Sequence, residues 1–165
     1  MSPEDLDRAA LVLARTRGHS PALERAVGAY SRMGEHAACW FALGLTGATL
    51  SHEPWRRNGW LRGIGVVGAA YGLNFAVKLA VRRGRPELPG LPPLTPTVSR
   101  LSFPSAHATT SFAAAWAYGR VVPAAPLYAV ASALALSRPY LGVHYPSDVV
   151  AGALLGTAIA RATVR

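Results

Sequence analysis

Cysteine is all but missing: Cys39 is the only one in 165 residues, which excludes a disulfide framework and a thiolate metal site. Acidic residues are scarce, eight Asp and Glu against seventeen Lys and Arg. No carboxylate cluster stands ready for Mg²⁺ or Ca²⁺, and no His/Cys set has zinc spacing, so neither metal nor cofactor is expected. No basic tract carries interleaved aromatics, which argues against nucleic acid as the partner of the +9 net charge. The start, Met1-Ser2-Pro3-Glu4-Asp5, lacks the basic region of a cleavable signal peptide. There is no internal repeat and no low-complexity tract. Several of the uncharged runs are also shorter than the ~20 residues that a helix needs to cross a bilayer.

What is present is hydrophobicity in blocks. Half of the chain is hydrophobic and 15% is charged, with uncharged stretches at 37–50, 63–77, 101–119, 121–137 and 149–160. Five such segments in one domain of residues 1–165 imply an all-α, integral-membrane helical bundle, its short helices lengthened by flanking residues or by tilt. A soluble protein with buried helices is the alternative. Ser2-Pro3-Glu4-Asp5 is a helix start, with a capping hydroxyl, proline and first-turn acids. That helix is expected to end near Gly18, and a second short one to start at Ser20-Pro21. Arg8, Arg15 and Arg17 beside Leu6, Leu11, Val12 and Leu13 suit a helix lying on a membrane surface, so residues 1–34 read as an interfacial, amphipathic segment.

The five apolar helices are expected from His36 to before Ser51, Leu61 to Val81, Pro104 to near Arg120, Pro123 to Ser137, and Pro146 to the C-terminus. Between the second and third lies an irregular stretch, 84–104, with six prolines. Gly68/Gly72 and Gly152/Gly156 are spaced for close helix packing in lipid. The helix ends sort onto two faces. One carries Arg56, Arg57, Arg62, Arg120, Arg161 and Arg165, and the positive-inside rule makes it cytoplasmic; segments 82–104 and 138–147 share the other.

Three segments on that second face hold polar residues that a membrane helix keeps only at a cost. In the first, Lys78 and Arg85 are two helical turns apart and Asn74 extends their face inward; Arg82 and Arg83 read as cations snorkelling at a helix end. In the second, Phe103-Pro104-Ser105-Ala106-His107 opens a helix whose free amides and dipole favour an anion. The third places Arg138 at a helix exit, His144 six residues on, and Asp148 four beyond, within reach to fix the imidazole's tautomer. Each segment alone also reads as an ordinary cap or loop. Together they supply what phosphoryl transfer needs: cations and amides for the equatorial oxygens, a nucleophile, and an acid for the leaving oxygen.

These motifs resemble the three-part signature of the type 2 phosphatidic acid phosphatase superfamily, which also includes soluble acid phosphatases and vanadium haloperoxidases. Its pattern is K-x6-R-P, P-S-G-H and S-R-x5-H-x3-D. Here these are Lys78 to Arg85-Pro86, Pro104-Ser105-Ala106-His107, and Ser137-Arg138 to His144 to Asp148, within residues 78–148. Ala106 replaces a glycine, but the backbone amide expected there survives. The resemblance implies that His144 attacks phosphorus and forms a phosphohistidine, oriented by Asp148. His107 would protonate the leaving group and then activate water, while Lys78, Arg85, Ser105, the Ala106 amide and Arg138 hold the phosphoryl oxygens. It also implies a multi-pass membrane fold with the site on the extracytoplasmic face of the cell membrane. The usual first of six transmembrane helices is reduced here to the amphipathic N-terminal segment. Glu35 and His36 are candidates for the substrate entrance.

The runs around His107 and His144 look similar to those of actinobacterial decaprenylphosphoryl-5-phosphoribose phosphatases. Expected partners are therefore membrane lipids and a lipid phosphate substrate, foremost a polyprenyl-linked one. Undecaprenyl-pyrophosphate and phosphatidylglycerophosphate phosphatases share the catalytic residues. A vanadate haloperoxidase would need the same pocket in a far longer, soluble chain, and a non-catalytic membrane protein would retain the pocket without turnover.

Overall fold

Ser2 accepts the Asp5 amide while the Asp5 side chain takes the Ser2 amide, a reciprocal cap that starts α1 (Pro3–Thr16). Ser20 caps α2 (Pro21–Arg32) with its hydroxyl alone, which accepts the Leu23 amide. The computed structural model, which describes residues 2–163, continues through a 3₁₀ turn at Glu35–Ala37. Then follow α3 (Ala38–Leu50), α4 (Pro54–Val81), α5 (Ala106–Tyr118), α6 (Ala124–Tyr140) and α7 (Pro146–Thr163). The described residues contain no strand, only an isolated bridge between Gly84 and Leu101 within the proline-rich segment. Arg165, counted above in the charge sorting, lies outside the described residues.

Several boundaries differ from those expected. α4 starts at Pro54, not Leu61, because proline at the first position begins the helix in the polar turn itself. Arg56, Arg57 and Arg62 are therefore helical. α3 starts at Ala38, since His36 and Ala37 adopt φ of +52° and +58°, a left-handed geometry that no α-helix accommodates. α5 starts at Ala106, with Ser105 as its N-cap, so Pro104 lies outside the helix. α6 continues past Ser137 to Tyr140, carrying Arg138 and Pro139 in its last turn.

α5 is the centre of the bundle, packed against α4, α6 and α7. Its small residues, from Ala108 to Ala117, are almost all buried. Gly152 and Gly156 of α7 let that helix touch α5 backbone to backbone. A Cβ on Gly156 would sit 2.0 Å from the Thr109 carbonyl oxygen, and one on Gly152 would sit 2.6 Å from that of Ser105. The second expected pair behaves differently: Gly68 and Gly72 have nothing within 4 Å of a Cβ and face outward.

Many large apolar side chains are on the outside. Leu45, Leu73, Phe75, Leu136, Val150 and Leu154 are all exposed, while the interior holds Trp40, Trp60, Tyr118 and Leu134 together with alanines and the polar Asn74, Thr109, Thr110 and Ser111. That much exposed apolar surface suits a lipid surround and opposes the soluble alternative. Among the described residues only α4, with 28 residues, is both long and apolar enough to cross a bilayer by itself. α3 and α5 have 13 residues, α6 17 and α7 18.

α1 is not a free surface helix. Leu11 is fully buried and Arg15 is 6% exposed. The Arg15 guanidinium donates to the carbonyls of Pro92 (2.9 Å) and Tyr140 (3.4 Å), tying α1 to the irregular segment and to the end of α6.

Candidate active site

The C-terminal ends of α4 and α6 meet the N-terminal ends of α5 and α7 at one end of the bundle, so the three polar segments converge. In the turn between α6 and α7, Asp148 fixes the His144 ring. Its Oδ2 lies 3.3 Å from His144 Nδ1 and accepts the Tyr145 amide at 2.9 Å. A carboxylate only accepts, so Nδ1 carries the hydrogen and Nε2 is left with its lone pair. Arg85 NH1 stands 3.3 Å from that Nε2 and donates to the Val143 carbonyl at 2.7 Å, while Arg85 Nε donates to Ser99 at 2.7 Å. Burial pushes the His144 imidazole down to about 3, opposed by the Asp148 hydrogen bond and assisted by Arg85, Arg138 and Lys78. The ring is thereby kept neutral and nucleophilic.

Before it lies a cavity of about 120 Å³, bordered by the cations Lys78, Arg85 and Arg138 and by both His107 and His144. Lys78 Nζ is steered by the carbonyls of Leu101 (3.2 Å) and Ser102 (3.0 Å). Arg138, 4% exposed, donates through NH1 to the Ser31 hydroxyl at 2.5 Å. Its Nε is buried without a partner among the described residues, an orphan donor beside the cavity that an anion would satisfy. His107 Nε2 is 2.9 Å from the Ser31 carbonyl oxygen, which requires a hydrogen on that nitrogen.

Most of the expected residues border this cavity: Lys78, Arg85, Ala106, His107, Arg138 and His144, with Asn74, Glu35 and His36 farther along its wall. Asn74 serves the scaffold as well, donating to the Pro104 carbonyl (3.2 Å) and the Thr109 hydroxyl (2.9 Å). His36 Nδ1 pairs with the Tyr71 hydroxyl at 2.8 Å. Ser105 and Asp148 are the exceptions: Asp148 lies behind the His144 ring, and Ser105 lies at the start of α5. The Ser105 hydroxyl is fully buried, outside the cavity lining, and accepts the Ala108 amide at 3.5 Å. Because α5 starts one residue after it, Ser105 is the N-cap of that helix, with its O–H still free to donate.

The chain matches the family model of the PAP2 superfamily over residues 59–165. It belongs to that superfamily. Decaprenylphosphoryl-5-phosphoribose phosphatase of Mycobacterium tuberculosis is 42% identical over 129 residues, 78% of this chain and 72% of that one. Its Mycolicibacterium smegmatis counterpart is 45% identical over 130 residues, 75% and 68% of the two chains. Among solved structures, Aquifex aeolicus LpxE has a TM-score of 0.83 at 23% identity, covering 99% of both chains. The transmembrane PAP2-type phosphatidylglycerolphosphate phosphatase of Bacillus subtilis has a TM-score of 0.74 at 23% identity, covering 97% of this chain and 83% of its own. This PAP2 protein is accordingly a membrane phosphatase, a hydrolase of phosphate esters.

The PAP2 site also uses residues that the motifs do not name. Arg83, expected to snorkel, instead donates to Asp148 Oδ1 at 2.8 Å and lies with its guanidinium 4.1 Å from the Tyr145 ring centre. Ser31 bonds both Arg138 and His107. Gly34 packs on the His107 ring, where a Cβ would come within 2.7 Å of Cδ2. Pro96, Thr97, Val98 and Ser99 of the proline-rich segment complete the cavity wall. No sequence signal marks Ser31 or Gly34, because both contacts span more than 70 residues of chain.

Proposed function

We propose that this PAP2 protein removes phosphate from a polyprenyl-linked lipid phosphate, foremost decaprenylphosphoryl-5-phosphoribose, by way of a phosphohistidine. The observation that carries the mechanism is the His144 Nε2 lone pair, freed by Asp148 and turned toward a cavity bordered by three cations. The substrate rests on the relatives at 42% and 45% identity that bear that name.

The lone pair of His144 Nε2 forms the N–P bond as the P–O bond to the lipid breaks. Lys78, Arg85, Arg138 and the Ala106 amide stabilise the charge on the equatorial oxygens. His107, protonated in the complex with the anionic substrate, gives its proton to the departing oxygen. In the second half, His107 takes a proton from water as that oxygen attacks phosphorus and the N–P bond breaks, releasing phosphate and regenerating neutral His144. Ser105 supports this by fixing the start of α5 and with it the Ala106 amide. The apolar exteriors of α3, α4, α6 and α7 and the arginines at the far end support a multi-pass arrangement. In it α3–α7 cross the cell membrane and the site opens outward.

The test is phosphate release by the detergent-purified protein in EDTA. The panel is decaprenylphosphoryl-5-phosphoribose, undecaprenyl pyrophosphate, phosphatidylglycerophosphate and phosphatidic acid, with His144→Ala as blank. The expected result is release led by the first substrate and surviving EDTA. A different leading substrate would overturn the assignment of the lipid, and release by His144→Ala at the wild-type rate would overturn the mechanism.

A further inference from the structure

α1 lies outside the matched family segment of residues 59–165, yet one of its carboxylates reaches the groups behind the nucleophile. Asp7 Oδ2 accepts from Arg83 NH2 at 2.8 Å, and Arg83 NH1 donates at 2.8 Å to Asp148 Oδ1. Asp148 Oδ2 in turn faces His144 Nδ1. The arrangement is braced on both sides. Asp7 Oδ1 accepts the Ser147 amide at 2.9 Å, and its Oδ2 also bonds the Ser147 hydroxyl. Arg83 NH1 additionally donates to that hydroxyl at 2.7 Å. Asp7 thus sits on the first turn of α7, where free amides and the helix dipole favour a carboxylate. Its side chain is 8% exposed and that of Asp148 fully buried, so both ion pairs are sheltered from screening.

We propose that Asp7 and Arg83 are positioning residues for the phosphohistidine chemistry: Arg83 holds the Asp148 carboxylate toward His144, and Asp7 of α1 holds Arg83. Neither touches the cavity, so neither binds substrate. A planar guanidinium bridging two carboxylates fixes the plane of each. Arg83 also divides its charge between the two acids, which sets how strongly Asp148 favours the His144 imidazolium. The N-terminal helix is in this way part of the catalytic apparatus. This inference rests on the phosphatase reading above and on the roles of His144 and Asp148 in it.

The experiment uses the full-length protein in detergent and the lipid phosphate of the panel that the wild type cleaves fastest. The variants are Arg83→Gln, Arg83→Lys, Asp7→Asn and, as control, Arg82→Gln. Arg82 is exposed, and among the described residues its side chain bonds only the Leu79 carbonyl. The quantities read are kcat, KM and the acid limb of kcat/KM against pH. That limb reports the protonation of His144, which also feels Lys78, Arg85, Arg138 and His107.

Arg83→Gln should lower kcat by about tenfold or more, the scale of a buried charge-assisted hydrogen bond, with little change in KM. It should move the acid limb to higher pH, since an unshared Asp148 charge favours imidazolium. Asp7→Asn leaves the whole Arg83 charge on Asp148, so its limb should move the opposite way, to lower pH, with a smaller loss of kcat. Arg83→Lys should recover part of the loss, and Arg82→Gln should change nothing. The midpoint of the limb does not depend on how much of a variant is folded, so poor folding leaves the comparison readable. Limbs that stay put in both variants, or that move the same way, would overturn the positioning role. A wild type that releases no phosphate would instead overturn the phosphatase reading.

Discussion

His144 has one bare nitrogen, and its neighbours decide how far down the pH scale that nitrogen stays bare. Because burial holds the imidazole well below its ordinary 6.5, the neutral form persists as pH falls through that value. The acid limb of kcat/KM should therefore lie below pH 6.5; a limb at or above 6.5 in the free enzyme would show that Asp148 outweighs burial and the cations. On the proposed mechanism His144→Ala should lose at least about a thousandfold in phosphate release, because the attacking nitrogen is removed. Arg138→Lys should raise KM by about tenfold. A lysine cannot serve Ser31 and the cavity together from its single nitrogen, and the buried guanidinium Nε with no partner is lost. The motif side chains at this scale were legible because fixed spacing places them at helix ends. The capping role of Ser105 and the ion pairs of Arg83 were not legible in that spacing. The start of α5 was expected at Pro104 and falls at Ala106; the end of α4 falls at Val81 as expected, but helix spacing does not say which distant carboxylate a cation just beyond that end will meet.

At the scale of elements, the close approach of α7 to α5 holds Asp148 and His107 in one frame. Gly156→Val should be destabilising by roughly 2–4 kcal/mol, because the obstructing atom is the backbone carbonyl oxygen of Thr109, which cannot step aside. Gly72→Ala should be neutral or slightly stabilising, since nothing lies near the added methyl and alanine is the better helix former. Thermal unfolding in detergent separates the two. A similar loss at both positions would mean that Gly72 also packs against a neighbour. The sequence presented the two glycine pairs as equals, because i,i+4 spacing says that two residues share a face without saying what that face meets. Pro54, by contrast, carried a readable helix-start signal inside a turn that looked merely polar.

Across the whole molecule, charge is divided between the two ends of the bundle. At the end away from the site, Arg120 and Arg161 flank Trp116, and Arg56 donates to the Val121 carbonyl at 3.4 Å, an arrangement suited to a headgroup layer. With Cys39 replaced by Ser, single cysteines at the exposed positions of Glu87→Cys and Arg57→Cys should report the topology. An impermeant thiol reagent on intact cells should label the first, and the second only after permeabilisation. The reverse pattern would invert the orientation. The sequence by itself determined the helical class, the blocks of hydrophobicity and the motif residues, because periodicity, composition and short spacing are local properties of a chain. Only the tertiary structure decided that Asp7 and Ser31 stand behind the catalytic groups, that Ser105 is a cap, and which glycines touch backbone. Those are contacts between distant segments, fixed by how the helices pack and not by any pattern along them.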